Sequence, residues 1–191
     1  MQIEVLRLSH RIQRDPRLST HVALTSRAFL ASKLYYSGNK DSSLEDSINK
    51  VTSQFGGDFE IEYIKDAVKL IKEKKNQEFL IVHLTCYGEK FDKEINKIRK
   101  HPKILVIVGG EKVPPEIFGL ADINLSVTNQ PHSEVGSLAT FLHEYIQGKE
   151  FNTEFKNAKT RILPSAKGKR IEKEVYDLSS PSFFSKILIL I

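Results

Sequence analysis

The sequence predicts an α/β fold in which a mostly parallel sheet carries helices on both faces. Over the first 150 of the 191 residues, short apolar runs alternate with longer segments whose apolar residues recur every three or four positions. The run over residues 104–108 contains no polar side chain, and the run over residues 79–85 is nearly continuously apolar, with His83 as its interruption. Strands that are apolar on both faces are typical of parallel sheets covered by helices on each side.

The individual elements follow from this spacing and from helix start and stop signals. Apolar or alternating runs predict strands over residues 3–8, 34–37, 59–64, 79–85, 104–108 and 123–127. Helical spacing predicts helices over residues 20–31, 41–55, 66–75, 90–99, 115–120 and 133–147. Acidic residues near Asp41 favour the positive end of a helix dipole, and the glycines at 56–57 and 148 end the helices that precede them.

The pattern changes after Lys149. Residues 160–163 and 171–176 flank a polar segment, residues 164–169, that contains a proline, a glycine and two lysines. This arrangement predicts a β-hairpin with a long basic tip. We therefore expect an α/β domain over residues 1–150 and an extension over residues 151–191, which ends in a short apolar tail.

Composition excludes several classes of protein. With 40% hydrophobic and 28% charged residues the chain is typical of a globular domain, and because no apolar run is long enough to cross a bilayer, we expect no membrane association. The single cysteine, Cys86, rules out an internal disulfide framework and fits a reducing compartment such as the cytoplasm. None of the six histidines has the spacing of a zinc site, so we expect no metal.

The net charge of +5 is concentrated in two clusters. Residues 156–176 hold seven basic residues against two acids, and four arginines lie within residues 7–17 with one acid among them. Clustered cations indicate contact with a nucleic-acid backbone, whereas the alternative is an ordinary solvated surface. The candidates for binding RNA are Arg7, Arg11, Arg14, Lys167, Lys169 and Arg170.

Two polar loops that follow apolar strands predict a single small-molecule pocket. Residues 109–114 begin with two glycines, and residues 129–135 lead into a helix. Ligands bind at such strand ends in α/β proteins, yet a glycine pair can equally serve a tight turn and Ser133 can simply cap the helix. His83, inside an apolar strand, is expected to be a core or pocket-edge histidine, and Arg27, within an apolar helical stretch, faces solvent by default. The absence of a Walker loop or a GxGxxG motif disfavours a nucleotide triphosphatase and an ordinary dinucleotide-binding domain.

Five segments carry a resemblance to a known family. They are residues 7–11 (RLSHR), 20–29 (THVALTSRAF), 83–88 (HLTCYG), 108–114 (VGGEKVP) and 129–135 (NQPHSEV), with Asp15 between the first two. With these motifs in order, the sequence resembles the archaeal tRNA (cytidine(56)-2'-O)-methyltransferases, a family of SPOUT methyltransferases, from about residue 2 to about residue 176. The last fifteen residues, 177–191, resemble nothing in that family.

The resemblance implies an activity and an assembly. It implies transfer of a methyl group from S-adenosylmethionine to the ribose 2'-hydroxyl of a cytidine in the T-loop of tRNA. It also implies a homodimer whose subunits contain a C-terminal trefoil knot. Two alternatives stay open: a non-catalytic RNA-binding protein of the same fold, and a ribose methyltransferase that acts on another RNA site.

The resemblance also implies which residues form the site. Arg27 matches the motif-one arginine of SPOUT ribose methyltransferases and is implied to be catalytic. The implied cofactor-binding residues all lie on or beside the loops of the knot, and they are Leu84, Gly109, Gly110, Glu111, Lys112, Val113, Val127, Thr128, Asn129, Gln130, Pro131, His132, Ser133 and Glu134.

Overall fold

The computed structural model describes residues 1–14, 16–110 and 112–173. Residues 174–176 of the predicted last strand, the tail from residue 177 onward, and Glu111 therefore lie outside the described part. The chain divides into two compact units. The first comprises residues 1–48 and 59–153, and the second comprises residues 49–58 together with the chain from residue 154 onward.

The structure contains the strands and helices that the sequence predicts, with shifted ends. The strands are β1 (Gln2–His10), β2 (Lys33–Gly38), β3 (Glu60–Tyr63), β4 (Leu80–Lys90), β5 (Lys103–Val108), β6 (Ile123–Ser126), β7 (Thr160–Leu163) and β8 (Arg170–Lys173). The helices are α1 (Pro16–Ala28), α2 (Ser42–Phe55), α3 (Ala67–Asn76), α4 (Phe91–Ile98), α5 (Pro115–Leu120) and α6 (Glu134–Ile146). A 3-10 turn (Lys149–Asn152) follows α6. None of the helices in the described residues combines the length and apolar character that crossing a bilayer requires.

The six strands of the first unit form one sheet in the order β3-β2-β1-β5-β4-β6. Every neighbouring pair is parallel, which confirms the predicted parallel sheet. Parallel strands all end at the same side of a sheet, which we call the carboxyl edge, and all begin at the amino edge. The loops that follow β4, β5 and β6 are therefore neighbours, because these three strands are adjacent.

Helices cover both faces of this sheet, as predicted. Side chains alternate between the faces along each strand, so Val5 and Val106 lie in one apolar core and Leu6 and Ile107 lie in the other. The first core includes residues from α1, α2, α4 and α6, and the second includes residues from α3 and α5.

Helix α1 begins one turn earlier than the apolar spacing predicts, because Pro16 presets the backbone for a first helical residue. It ends where Leu30 adopts a left-handed conformation, with φ of 65°, and the N–H of Ala31 donates to the carbonyl of Ser26. The N–H of Ser32 then donates to the carbonyl of Ile3, near the start of β1. Helix α1 therefore runs from the carboxyl edge to the amino edge of the sheet.

Strand β4 is longer than predicted, because its polar second half also pairs with β6. The register shifts between Leu84 and Glu89, and Leu125 of β6 is paired with both. A Cβ added to Gly88 would lie 2.5 Å from the carbonyl oxygen of Asn124, so only glycine allows this close approach. The prediction of a strand ending at residue 85 missed the extension because the segment HLTCYGEK loses its apolar alternation there.

The second unit contains the predicted hairpin. Strands β7 and β8 are antiparallel, with Ile162 opposite Ile171. Within the same unit, the end of α2 contacts the chain before β7. The N–H of Gly57 donates to the carbonyl oxygen of Lys156 at 2.8 Å, and the N–H of Lys159 donates to the carbonyl oxygen of Gln54 at 3.0 Å.

Candidate functional site

Three adjacent segments of the carboxyl edge form the candidate site. They are the second half of β4, the loop after β5 and the loop after β6. This topology brings together the predicted cofactor-binding positions around Leu84, at residues 109–110 and 112–113, and at residues 127–134. Such a strand-end cluster is the usual position of ligand sites in open parallel sheets.

The loop after β6 is fixed at both of its ends. Nδ2 of Asn129 donates to the carbonyl oxygens of Cys86 and Gly88, at 2.9 and 3.2 Å, and so joins this loop to the end of β4. At the other end, Oγ of Ser133 accepts a hydrogen bond from the N–H of Val135 at 3.2 Å, which confirms that Ser133 is the N-cap of α6. Residues 128–133 are exposed between these two anchors, so their backbone groups are accessible to a ligand.

The loop after β5 is held by Arg7 of β1. The Arg7 side chain is 1% exposed, and its Nη1 donates to the carbonyl oxygen of Gly109. This burial is at odds with the prediction that Arg7 binds RNA, because a guanidinium enclosed beneath a loop cannot reach a phosphate in solvent. β1 is an inner strand of the sheet with helices on both faces, so a side chain at position 7 points into the protein on either face. We therefore assign it to the support of the glycine loop.

The two glycines of this loop differ in the space around them. A Cβ on Gly109 would collide with Cγ2 of Val113, so Gly109 is required by the packing of the loop itself. A Cβ on Gly110 would have only ordinary contacts, the nearest being Nη1 of Arg7 at 3.5 Å and the carbonyl oxygen of Leu8 at 3.6 Å. Packing within the described residues therefore does not require glycine at position 110, and a glycine there leaves the backbone without a side chain that would block a ligand.

Ser126 is a candidate site residue that the sequence prediction does not include. It ends β6, is 1% exposed, and its hydroxyl has no hydrogen-bond partner among the described residues. Burying a hydroxyl without a hydrogen-bond partner costs folding free energy, so few such groups occur in proteins. A bound ligand that supplies the missing partner would explain this one. The signal in the sequence is a single hydroxyl residue that closes an apolar strand directly before a polar loop.

Apolar side chains at this edge complete the lining. Leu84 is 6% exposed, and Val127 is half-buried and packs against the first apolar core. An apolar surface with a few oriented polar groups is the usual composition of a small-molecule site. Of the other predicted positions, Lys112 and His132 are exposed, and Val113 and Glu134 are half-buried.

His83 is a core histidine rather than part of this site, as the sequence predicts. It is fully buried in β4, with its Nδ1 2.8 Å from Oδ1 of Asn124 and its ring edge-on to Phe118. Burial lowers the pKa of His83, although the hydrogen bond with Asn124 acts in the opposite direction.

Arg27 lies away from the three segments. It is in the last turn of α1 and 7% exposed, so the default expectation of a solvent-facing position is wrong. Its helix rises about 16 Å between the first turn and Arg27, which places Arg27 near the amino edge of the sheet, beside the turn at Ser32. Burial lowers the pKa of Arg27, but a guanidinium stays cationic at neutral pH.

The remaining basic candidates are accessible to different degrees. Arg14 is exposed and Arg11 is half-buried in the segment between β1 and α1. Lys167, Lys169 and Arg170 are all exposed at the tip of the β7–β8 hairpin. Among the residues that the structure describes, no group of three His, Cys, Asp or Glu side chains is placed to hold a metal ion.

Comparison with known protein families gives a consistent result. Residues 55–172 match the family described as "tRNA ribose 2'-O-methyltransferase, aTrm56". A tRNA (cytidine(56)-2'-O)-methyltransferase from Methanobrevibacter smithii is 47% identical over 172 residues, which cover 90% of this chain and 96% of the relative. An enzyme of the same name from Methanocaldococcus jannaschii is 48% identical over 177 residues, covering 91% of this chain and 98% of that protein.

Solved structures share the fold at low sequence identity. The A. aeolicus TrmH/SpoU tRNA modifying enzyme superposes with a TM-score of 0.59 at 18% identity, over 79% of this chain and 77% of that one. The SpoU methyltransferase AviRb from Streptomyces viridochromogenes, solved in complex with the cofactor AdoMet, has a TM-score of 0.59 at 13% identity. That superposition covers 78% of this chain and 58% of AviRb. The fold is therefore that of the SPOUT methyltransferases.

Proposed function

Because the chain belongs to the aTrm56 family of tRNA ribose 2'-O-methyltransferases, we propose that it methylates the ribose 2'-oxygen of cytidine 56 in tRNA, with S-adenosylmethionine as donor. The observation that carries the proposal is the pair of strand-end loops after β5 and β6, beside which Ser126 has a buried hydroxyl without a hydrogen-bond partner among the described residues.

The residues at this edge fit the donor. Its adenosine part needs an apolar surface, which Leu84 and Val127 supply, and polar partners, which Ser126 and the exposed backbone of residues 128–133 supply. Gly110 lets the backbone of its loop come close to the ligand. Bound here, the donor supplies a methyl group on a positively charged sulfur, already activated for transfer.

The chain must then favour the loss of the ribose 2'-hydroxyl proton. As that proton passes to a phosphate of the RNA, negative charge develops on the 2'-oxygen, and a fixed cation beside the oxygen stabilises it. Arg27 is the proposed cation, because a planar guanidinium in a buried position is held in one orientation and keeps its charge.

The position of Arg27 favours a homodimer. Within one chain it lies near the amino edge, whereas the donor loops lie at the carboxyl edge. A second copy that packs against α1 can bring its own donor loops to Arg27. Next to Arg27 on α1, Ala28 is exposed and Leu24 is 37% exposed, which leaves an apolar strip for such a partner.

Helix α6 is apolar on more than one side, but this does not argue for a subunit interface. In the structure most of these side chains fill the core of their own chain; they are Leu138, Phe141, Leu142 and Tyr145. The proposal of a dimer therefore rests on α1 and on the separation of Arg27 from the loops.

The proposal also assigns the RNA-binding residues, the roles of the two parts of the chain, the knot and the cellular compartment. We assign tRNA binding to Arg11 and Arg14 and to the exposed cations of the hairpin tip. Residues 1–150 carry donor binding and transfer, and residues 151–191 add RNA contacts. We also propose that the segment after β6 threads through an earlier loop as a trefoil knot, and that the enzyme works in the cytoplasm, where a tRNA substrate is present.

The test is to incubate the purified chain with donor labelled on its methyl group and unmodified tRNA transcript, and then to map the labelled nucleotide. We expect one labelled ribose, at cytidine 56, and no label on a transcript that carries a 2'-O-methyl group there. Label at another nucleotide would show a ribose methyltransferase of different specificity. Binding of tRNA without donor binding or transfer would show a non-catalytic RNA-binding protein and reject the proposal.

A further inference from the structure

A cavity of about 390 Å³ opens at the carboxyl edge on the face covered by α3 and α5. Its floor is apolar, with Leu8 and Ile117 buried and Val68 half-buried. The polar residues that line it are Ser9, Ser37, Lys65, Asp66 and Glu116. This size and composition are those of a small-ligand site, and none of the lining residues belongs to the three loop segments except Pro114.

The cavity borders the proposed donor site directly. Pro114 continues the loop of Gly109 and Gly110, and a Cβ on Gly110 would lie 3.6 Å from both the Leu8 carbonyl oxygen and the Ser9 Cβ. Leu8 and Ser9 form part of the cavity wall. A group held in the cavity is therefore next to a donor held by the glycine loop.

The wall formed by β1 and β2 is fixed in place. Ser9 has a φ of 58°, which is unusual for a residue other than glycine, and its N–H donates to Oγ of Ser37 at 3.2 Å. The next residue, His10, is buried, with Nδ1 2.8 Å from Oγ of Ser19 and Nε2 3.1 Å from Asp41. A wall held in this way can present its hydroxyl groups to a ligand without reorganisation.

The two carboxylates that line the cavity, Asp66 and Glu116, differ in whether they cap a helix. Oδ1 of Asp66 accepts a hydrogen bond from the N–H of Lys69 at 2.9 Å as the N-cap of α3. Glu116, in the first turn of α5 and exposed, makes no such cap contact. Glu116 is therefore the acid better placed to accept hydrogen bonds from a ligand.

We propose that this cavity takes the cytosine base of the nucleotide to be methylated, an inference that rests on the proposed function and extends it. The flat faces of the base pack on Leu8 and Ile117, and its exocyclic amine donates to the Glu116 carboxylate. Lys65 and the serine hydroxyls donate to the acceptors of the ring. Uracil presents an oxygen in place of the amine and would face the carboxylate unfavourably.

The test measures binding, so that it does not depend on transfer. The full chain, saturated with S-adenosylhomocysteine, is titrated against two unmodified tRNA transcripts that carry cytidine or uridine at position 56. We expect the wild type to prefer cytidine, and Glu116→Gln to reduce that preference by about fivefold or more, because the glutamine amide can accept from the cytosine amine or donate to the uracil oxygen. Asp92→Asn removes the same charge from the first turn of α4, outside the cavity, and should leave the preference unchanged.

A second variant fills the space. Val68→Phe should weaken binding of both transcripts while the affinity for S-adenosylhomocysteine stays at the wild-type value, which also reports a folded donor site. An unchanged preference in Glu116→Gln, or a parallel loss of S-adenosylhomocysteine affinity in Val68→Phe, would overturn the assignment. Failure of the wild type to transfer methyl to cytidine 56 would reject the proposed activity, and the binding preference would still decide on the cavity.

Discussion

At the carboxyl edge of the sheet the chain is open, whereas at the amino edge it is closed by hydrogen bonds. At the carboxyl edge residues 128–133 are exposed, a Cβ on Gly110 would make only ordinary contacts, and the hydroxyl of Ser126 has no hydrogen-bond partner among the described residues. At the amino edge, the N–H of Ser32 donates to the carbonyl oxygen of Ile3, and the hydroxyl of Tyr145 donates to the carbonyl oxygen of His101 at 2.5 Å.

The difference shows why one chain does not form the complete site that we propose. The open edge has the features of a ligand site but lacks the implied catalytic cation. The closed edge holds that cation, Arg27, at the end of a helix that packs against α6. The proposed transfer step therefore places the open edge of one subunit beside Arg27 of another.

The largest expected effect is on Arg27. Arg27→Ala should lower the single-turnover methylation rate about 10²–10³-fold, the scale for removing one group that stabilises a developing oxyanion. Arg27→Lys keeps the charge without the planar fork and should recover part of the rate. Donor and tRNA affinities should stay near wild type in both variants, and a near-wild-type rate for Arg27→Ala would exclude the assigned role.

The next largest effect distinguishes Gly110, whose substitution should weaken donor binding, from Gly109, whose substitution should destabilise the fold. Gly110→Val should weaken donor binding tenfold or more, about 1.4 kcal/mol, because its side chain would stand beside the loop backbone that is proposed to approach the donor, whereas the first added carbon makes only ordinary contacts with the chain. Gly109→Ala should instead lower the free energy of unfolding, because its Cβ collides with Val113. Calorimetry and thermal unfolding of both variants provide the measurement. Unchanged donor affinity in Gly110→Val would place the donor elsewhere.

A smaller effect concerns the hairpin. Replacing Lys167, Lys169 and Arg170 with alanine should reduce the slope of log affinity against log salt by about 0.7–0.9 for each phosphate that the protein no longer neutralises. All three side chains are exposed, so the fold should not change. The same replacement at Lys72, Lys93 and Lys100 serves as a control for net charge. Equal slopes for the hairpin variant and the wild type would show that the tip does not bind tRNA.

The smallest effect is expected at Ser126. Ser126→Ala should weaken donor binding severalfold, since a typical hydrogen bond contributes about 1 kcal/mol. The donor-free protein should be as stable as wild type or slightly more stable, because a buried hydroxyl without a described partner is removed. A loss of stability without any loss of donor affinity would show that Ser126 has a structural role only.

Much of the fold could be predicted from the sequence, because strands such as 104–108 are continuously apolar and the helices have clear stops. The two polar loops of the site were predictable for the same reason. The burial of Arg7 was not, because charge alone does not reveal which way an arginine on a strand points. The position of Arg27 could not be predicted either. A sequence motif identifies a residue but does not give its distance from the other motifs, and here that distance depends on how α1 runs back along the sheet.

The most direct test of the account is to mix two inactive subunits. Differently tagged Arg27→Ala and Gly110→Val chains are co-expressed, mixed dimers are purified through both tags, and methylation of cytidine 56 is measured against each parent dimer. If Arg27 of one subunit serves the donor loops of the other, the mixed dimer contains one intact site and should regain about half the wild-type activity. If Arg27 and the donor loops of the same chain form each site, every site in the mixed dimer carries one substitution that inactivates it. A mixed dimer that is no more active than its parents would therefore contradict the account.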